Sequence, residues 1–362
     1  MGLMSGTSAD GLSIALCALR PAVRKLAVLA CNTYPYGAGL QKRIIGAKDM
    51  RAPELSALNF ELGELWAGMV KRFCREHRTP YKNIAVIGSH GQTIFHAPGE
   101  HTLQLGEAAF IAEETGRPVV SDFRPSDMAA GGQGAPLIPF MDEYLFGVGK
   151  PVALQNIGGV GNIAFVGRGV KTAGFDTGPG NSLMDTAVAI LSGGKMSFDK
   201  GGRWAAAGRT DYARVLALLK HPFFALKPPK SLDRSAFSGA FLKKHFGKEF
   251  HEHKKYDILA TLNYFTAASI ALAFQRHAPA GTSELVVSGG GALNPVLMRN
   301  IATLTEGARV KSIAALGIGP LAKEPACFAL LAWLALNGRP NHCPSATGAR
   351  GHRVLGKIIR PA

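Results

Sequence analysis

Met1–Gly2–Leu3–Met4–Ser5–Gly6–Thr7–Ser8–Ala9–Asp10–Gly11 opens the chain, and Gly174–Phe175–Asp176–Thr177–Gly178–Pro179–Gly180–Asn181 lies about half a chain further on. Each stretch has what a nucleotide phosphate requires: glycines that admit close backbone approach, hydroxyls and amides that donate hydrogen bonds, and a carboxylate that holds Mg²⁺ or takes a proton. Two such loops point to two half-domains around one nucleoside triphosphate. Outward from the first loop, Leu12–Leu19 and Lys25–Tyr34 read as strands, with almost no strand ahead of the turn because only two residues precede Leu3. Outward from the second, residues 172–176 read as a strand and Ser182–Leu191 as a helix whose free N–H groups face an anion.

The rest of the chain alternates in the same way. Leu55, Leu58, Leu62, Leu65, Met69 and Phe73 share one face of a helix over Ala52–Glu76. Ile84–Ser89, Leu103–Leu105 and Pro118–Ser121 read as strands, and Glu107–Thr115 as a helix. Met128–Pro139 is rich in Gly, Ala and Pro and reads as a hinge, after which the pattern restarts with strands at Pro151–Asn156 and Asn162–Val166. Helices follow at Tyr256–His277, Pro295–Leu304 and Glu324–Asn337, with a strand at Glu284–Ser288 and a last one, Val354–Ile359, returning to the first half. This alternation predicts an α/β fold. It divides into a lobe of residues 1–130 with 345–362 and a lobe of residues 131–344, a weak repeat of architecture without a repeat of sequence.

Composition narrows the function. A hydrophobic fraction of 47% against 18% charged residues supports a packed core in 362 residues and excludes disorder. The net charge of +16 invites nucleic acid, an anionic membrane or anionic small ligands. Acidic residues interrupt the basic run between Lys195 and Lys255, and no nucleic-acid-binding signature occurs, so a solvated basic surface is preferred. Five widely spaced cysteines, an odd number with no Cys-x-x-Cys, favour reduced thiols in the cytoplasm. No signal peptide precedes the first motif, and Phe328–Leu336, taken as the longest apolar run, is too short to span a bilayer.

Each candidate residue has a plainer alternative. Gly159–Val160–Gly161–Asn162–Ile163–Ala164 fits a dinucleotide fingerprint, but a strand follows it where that site needs a helix, so the nicotinamide reading fails. His251–Glu252–His253 has a spacing that points its rings apart on a helix, and reads as a polar loop. Asp176 ends a strand just before glycines, as a general base should; the alternative is a capping aspartate. Asp10 suits a metal shell, since Mg²⁺ keeps most of its waters and needs one carboxylate; Asp10–Gly11 is also a hairpin pair. Gly289–Gly290–Gly291 with Asn294 offers flat backbone to a purine, or is an ordinary loop capped by Asn294 with Pro295 at the first helical position. His90, Gln92, Thr93, Arg124 and Asn156 sit at strand ends, where an α/β sheet lines its ligand crevice. Glu324 opens the last long helix and either serves a ligand or complements the helix dipole.

Taken in order, these segments resemble the anhydro-N-acetylmuramic acid kinase family. The matching stretches are Gly2–Gly11, Ser89–Phe95, Asp122–Arg124 with Met128–Pro136, Asn156–Gly159, Gly174–Asp185, Asp257–Leu262, Ser288–Asn294 and Thr347–Ala349. The resemblance covers nearly the whole chain. It implies the two-domain actin-like (ribonuclease H-like) fold of the sugar kinase, heat-shock and actin superfamily, with ATP and substrate in an interdomain cleft. It also implies a cytoplasmic homodimer that converts ATP, water and 1,6-anhydro-N-acetylmuramic acid into N-acetylmuramic acid 6-phosphate and ADP during recycling of cell-wall sugars.

By the same resemblance Asp176 is the catalytic base. Gly6, Thr7, Ser8, Ala9, Asp10, Gly11, Leu12 and Ser13 form the ATP-phosphate loop, with Asp10 toward Mg²⁺. Gly178, Gly180, Asn181, Gly289, Gly290, Gly291 and Asn294 complete the nucleotide site. His90, Gln92, Thr93, Arg124, Asn156, Gly158 and Glu324 face the sugar, Arg124 taking its lactyl carboxylate through a bidentate guanidinium. Three departures stand out: Ser13 where the family commonly has aspartate, Ser231–Leu232–Asp233–Arg234 for Ser-Thr-Gly-Arg, and Pro325 where alanine is usual. Competing readings are a kinase of another 1,6-anhydrosugar such as levoglucosan, a non-catalytic actin-like nucleotide-binding module, and nucleic-acid binding, which rests on charge alone. The preferred reading needs neither nucleic acid nor membrane.

Overall fold

The structure is a computed structural model that describes every residue except 8, 171–172, 229, 233 and 362. The chain divides into two units, Met1–Leu145 with Gly317–Ala362, and Phe146–Leu316.

In the first unit, strands β1 (Gly2–Ser5), β2 (Gly11–Arg20), β3 (Lys25–Pro35), β4 (Ile87–Ala97), β5 (His101–Leu105), β6 (Val119–Ser121) and β12 (Lys357–Ile359) make one sheet in the order β12-β6-β4-β1-β2-β3, with β5 on β4. β1 is the pivot: antiparallel to β2 and parallel to β4. A parallel return needs a long crossover, and the Ala52–Glu76 helix lies within it. Its buried stripe, Leu58, Leu62, Trp66, Val70 and Phe73, joins Leu3, Leu12 and Ile14 in one core. The Lys323–Leu336 helix packs across β1, β2 and β4. Its approach is so close that a methyl at Gly2 or Gly88 would fall on the carbonyl of Pro325 or Phe328.

That packing places residues 317–344 in the first unit, not in the second lobe as the sequence suggested. The segment expected to be a hinge, Met128–Pro139, is internal to this unit. Buried Asp127 staples it, accepting from the Gly134 N–H at 2.8 Å and the Thr347 hydroxyl at 2.7 Å. β1 is a full four-residue strand, and β4 runs on through Ser89–Thr93, where a strand end was expected.

The second unit repeats the plan. Its strands β7 (Val152–Ile157), β8 (Gly161–Val166), β9 (Ala173–Gly178), β10 (Glu284–Ser288) and β11 (Arg309–Ser312) are ordered β11-β10-β7-β8-β9. β8 is antiparallel to β7 and β9, and β10 is parallel to β7 and β11. The second unit thus runs third, second, first, fourth, fifth, and the first unit runs the same way once β5, which only pairs with β4 as a hairpin, is set aside, which is the ribonuclease H-like arrangement of actin-like folds. β8 is a strand where the dinucleotide fingerprint would need a helix. The Lys255–His277 helix is this unit's core element. It is a longer apolar helix than Phe328–Leu336, long and apolar enough by composition to cross a membrane, but 78% of its most apolar window is buried in the protein.

A buried ion pair fixes the start of the Lys323–Leu336 helix. Lys323 Nζ lies 2.8 and 2.9 Å from the two carboxylate oxygens of Asp142, with both side chains buried. Removing one partner leaves an uncompensated buried charge. Lys323→Met should therefore lower the unfolding free energy by about 3 kcal/mol in urea titration, and Lys323→Met/Asp142→Leu should recover most of that loss.

Candidate active site

In the first unit the Gly6–Gly11 turn joins β1 to β2. Thr7 and Asp10 are exposed on it, and Gly6 is half-buried. Ala9 is fully buried with φ of 49°, and its N–H donates to the Gly6 carbonyl at 3.0 Å. Ser8 lies outside the described residues. Leu12 is fully buried in the core, so of the expected phosphate-loop residues it offers backbone alone. Ser13 is already in β2, its hydroxyl 2.8 Å from Thr33 Oγ1 on the paired strand.

The expected sugar-side residues of this unit fall into two classes. Arg124 is half-buried, and its Nε and Nη2 donate to His90 Nε2 at 3.3 and 3.0 Å. The other ring nitrogen, Nδ1, lies 2.8 Å from the Gly91 carbonyl. Burial, reinforced by the Arg124 charge, pushes His90 down to about 3. His90 is therefore neutral, with Nδ1 protonated and Nε2 accepting. It is buried, stacks near Phe328 and serves as the rest for Arg124 instead of reaching the surface. Gln92 is likewise turned inward, 1% exposed, its amide donating to the Gly6 carbonyl at 3.1 Å. Both side chains are thus turned inward, His90 behind Arg124 and Gln92 behind the Gly6–Gly11 turn. Thr93 is half-buried and Glu324 is exposed in the first turn of the Lys323–Leu336 helix.

In the second unit Asp176 sits on β9, half-buried. Asn162 on β8 is its cross-strand partner and donates to Asp176 Oδ1 at 3.1 Å, while the Leu232 N–H donates to Oδ2 at 2.7 Å. A carboxylate has about four lone-pair sites, so two such contacts orient it and leave room for a third donor. Leu232 belongs to the segment that departs from the family pattern; Asp233 within it lies outside the described residues.

Past β9, Gly178 and Gly180 are buried. Gly180 has φ of 51°, and a methyl there would fall 2.5 Å from the Gly158 carbonyl oxygen. The Asn181 N–H donates to that same carbonyl at 2.8 Å and its side chain to the Ile157 carbonyl at 3.2 Å. Gly158 and Asn181 are thus brought together at the start of the Ser182–Leu191 helix. Asn156 is exposed at the end of β7, its Oδ1 accepting from Ser288 Oγ at 3.3 Å. Gly289, Gly290 and Gly291 lead from β10 into a short turn. Asn294 caps the next helix, accepting from the N–H groups of Val296 and Leu297 at 3.1 Å each. Its Oδ1 thus serves the cap, and Gly291 is buried against Ile157.

Asn162 and the Leu232 N–H escaped the sequence reading. Only the β8–β9 register, with Asn162 opposite Asp176, signals the first; a loop N–H carries no residue signature.

A family model described as Anhydro-N-acetylmuramic acid kinase matches residues 1–361. The chain belongs to the anhydro-N-acetylmuramic acid kinase family. It is 38% identical to the anhydro-N-acetylmuramic acid kinase of Caldanaerobacter subterraneus subsp. tengcongensis, covering 99% of this chain and 96% of that one. It is 40% identical to the Xanthomonas campestris pv. campestris protein of the same name, with coverage of 99% and 96%. Against the Pseudomonas paraeruginosa one it is 40% identical, with coverage of 99% and 98%.

Asp185, in the first turn of the Ser182–Leu191 helix, was not singled out by sequence. Burial pushes its carboxyl up to about 6. The folded chain then holds this proton more tightly than the unfolded chain, so stability is greatest below the ordinary aspartate range and falls as pH rises through about 6. Asp185→Asn should remove that fall: between about pH 4.5 and 7 the variant should lose about 1–2 kcal/mol less stability than the parent in urea titrations.

Proposed function

We propose that this chain is an ATP-dependent kinase that opens 1,6-anhydro-N-acetylmuramic acid with water and phosphorylates its O6, giving N-acetylmuramic acid 6-phosphate and ADP. Family membership supports the reaction class, and the observation that carries the mechanism is the Asp176 carboxylate, oriented by Asn162 and the Leu232 N–H.

In this reading Asp176 takes a proton from the water that attacks the anomeric carbon. The bond from that carbon to O6 breaks, and O6 takes the γ-phosphoryl group of ATP. The transferring group carries spread negative charge, so the enzyme's contribution is positioning and electrostatic. The Gly6–Ser13 segment receives the phosphates. Gly178, Gly180, Asn181 and the Gly289–Gly291 turn receive the remainder of the nucleotide. Arg124 takes the sugar's carboxylate, with Thr93, Asn156, Gly158 and Glu324 toward its hydroxyl and amide groups.

Among the described residues no three His, Cys, Asp or Glu side chains cluster as a metal cage. An exposed carboxylate such as Asp10 fits Mg²⁺ that arrives on the nucleotide with its own waters. When bound, Mg²⁺ supplies charge neutralisation at the phosphates; the protein's part is to hold it through Asp10. The five cysteines are all free thiols, which supports a reducing, cytoplasmic setting. We also assign the enzyme to peptidoglycan amino-sugar recycling as a homodimer, to be checked by light scattering.

Turnover in ¹⁸O-labelled water with Mg²⁺, ATP and the anhydrosugar should give a 6-phosphate labelled at its anomeric oxygen, read by mass spectrometry. Unlabelled product would refute attack by water. Asp176→Asn should cut kcat by about 10²–10⁴-fold while ADP affinity in calorimetry stays near the parent value. His90→Phe removes the rest for Arg124 and should raise KM for the sugar about tenfold, about 1.4 kcal/mol, with KM for ATP unchanged.

A further inference from the structure

The Gly6–Gly11 turn stands on a chain of buried polar groups drawn from four elements of the first unit. Trp66, on the Ala52–Glu76 helix, donates its indole N–H to the Tyr36 hydroxyl at 2.9 Å. The Tyr36 hydroxyl lies 2.9 Å from Ser5 Oγ at the end of β1, and Ser5 Oγ donates to Gln92 Oε1 on β4 at 2.5 Å. Gln92 Nε2 donates to the carbonyls of Gly6 at 3.1 Å and Thr93 at 3.3 Å. Ser5, Tyr36, Trp66 and Gln92 are all buried, none more than 9% exposed.

The chemistry leaves one direction for the protons. An indole N–H only donates, so it occupies an acceptor site on Tyr36 and turns the phenol proton toward Ser5. The Ser5 proton then goes to Gln92 Oε1 at 2.5 Å, the nearer of its two acceptors, the Gly11 carbonyl being 3.2 Å away, and the amide protons of Gln92 go to carbonyls. Burial pushes the Tyr36 hydroxyl up to about 12, so it remains a donor throughout the working range of pH.

This chain controls which way the turn faces. Gly6 presents its carbonyl to Gln92, and Asp10 presents its carbonyl to the Tyr36 N–H at 3.1 Å. The N–H of a trans peptide points opposite to its C=O, so the Thr7 N–H is directed away from the buried network. An anion-binding turn needs this arrangement, with carbonyl oxygens drawn inward and N–H groups outward.

We propose that Gln92 and Tyr36 are positioning residues for ATP: the Gln92 amide holds the Gly6 carbonyl inward, and the Tyr36 hydroxyl, through Ser5, holds the Gln92 amide, so that the turn presents N–H groups to the phosphates. The proposal rests on the reading of Gly6–Gly11 as the phosphate loop and assigns Gln92 to the nucleotide instead of the sugar. Gln92→Glu keeps the side chain's shape, replaces the donor to Gly6 with an acceptor, and so leaves that carbonyl with the Ala9 N–H as its one remaining donor among those named here. Tyr36→Phe keeps the ring and the Asp10 contact, and strands the Trp66 N–H and Ser5.

The test is steady-state kinetics with both substrates, alongside ADP calorimetry and thermal melts on the same preparations. Both variants should raise KM for ATP at least about fivefold and weaken ADP binding in step, with KM for the sugar within about twofold of the parent. Tyr36→Phe combined with Ser5→Ala should be less damaging than the product of the single effects, because both act through one chain of hydrogen bonds. A general loss of packing would move both KM values and track the melting temperature, and would overturn the proposal. Parent-like ADP affinity in variants of a parent that binds ADP would overturn it alone. A folded parent that binds no ADP would overturn the phosphate-loop reading together with it.

Discussion

Four residues, Gly2–Ser5, hold the first unit together. β1 is paired along both edges, to β2 and β4, and covered on both faces. Leu3 points into the core with the Ala52–Glu76 helix, and Gly2 lies under the Lys323–Leu336 helix. A strand so enclosed has no freedom of register, because a shift of one residue would exchange Leu3 with its neighbours and force side chains against helix backbone. The turn that follows inherits this fixity. Ser5 ends the strand as a hydroxyl between Tyr36 and Gln92, so the place where β1 stops pairing is also where the Gly6–Gly11 turn is anchored.

The second unit reaches the same end by different means. Its loop after β9 is held through backbone carbonyls: the Asn181 N–H meets the Gly158 carbonyl, and the Thr266 hydroxyl donates to the Gly180 carbonyl at 3.0 Å. Gly180 is required where it stands by its positive φ and the nearness of Gly158. One sheet order thus carries two glycine loops, the first braced by a buried chain of side chains and the second through main-chain carbonyls.

Much of this plan was legible in the sequence where the signal is local. The apolar spacing over Ala52–Glu76, the run Glu284–Ser288 and the Asn294–Pro295 start of a helix each appear in the structure at the expected bounds. What was not legible depends on distant partners. β1 is too short to show a period, and β4 carries Ser89–Gln92 as buried strand, where His90 meets Arg124 and Gln92 meets Ser5 and Gly6, all far off in sequence. The Lys323–Leu336 helix belongs with β1 through Gly2 and Gly88, whose lack of a side chain gives no clue to what fills the space. Of the candidate residues, Asp176 and Arg124 stand out by residue type and strand-end position, whereas Asn162 depended on register and the burial of His90 and Gln92 on packing.

The residues behind the two charged groups share a logic. A carboxylate behind Arg124 would neutralise the guanidinium and compete with any anion it meets. His90, kept neutral by burial, orients the same donors without opposing charge. Asp176 is aligned by an amide and a backbone N–H, dipoles that fix direction without forming an ion pair in direct contact. Dipoles set in place by folding need no rearrangement when charge develops. On the proposed reading the ligands, ATP and a carboxylated sugar, are anions. For such ligands a guanidinium on a neutral rest and a carboxylate aligned by dipoles, each within its own unit, serve better than groups held in ion pairs, whose members would satisfy one another first.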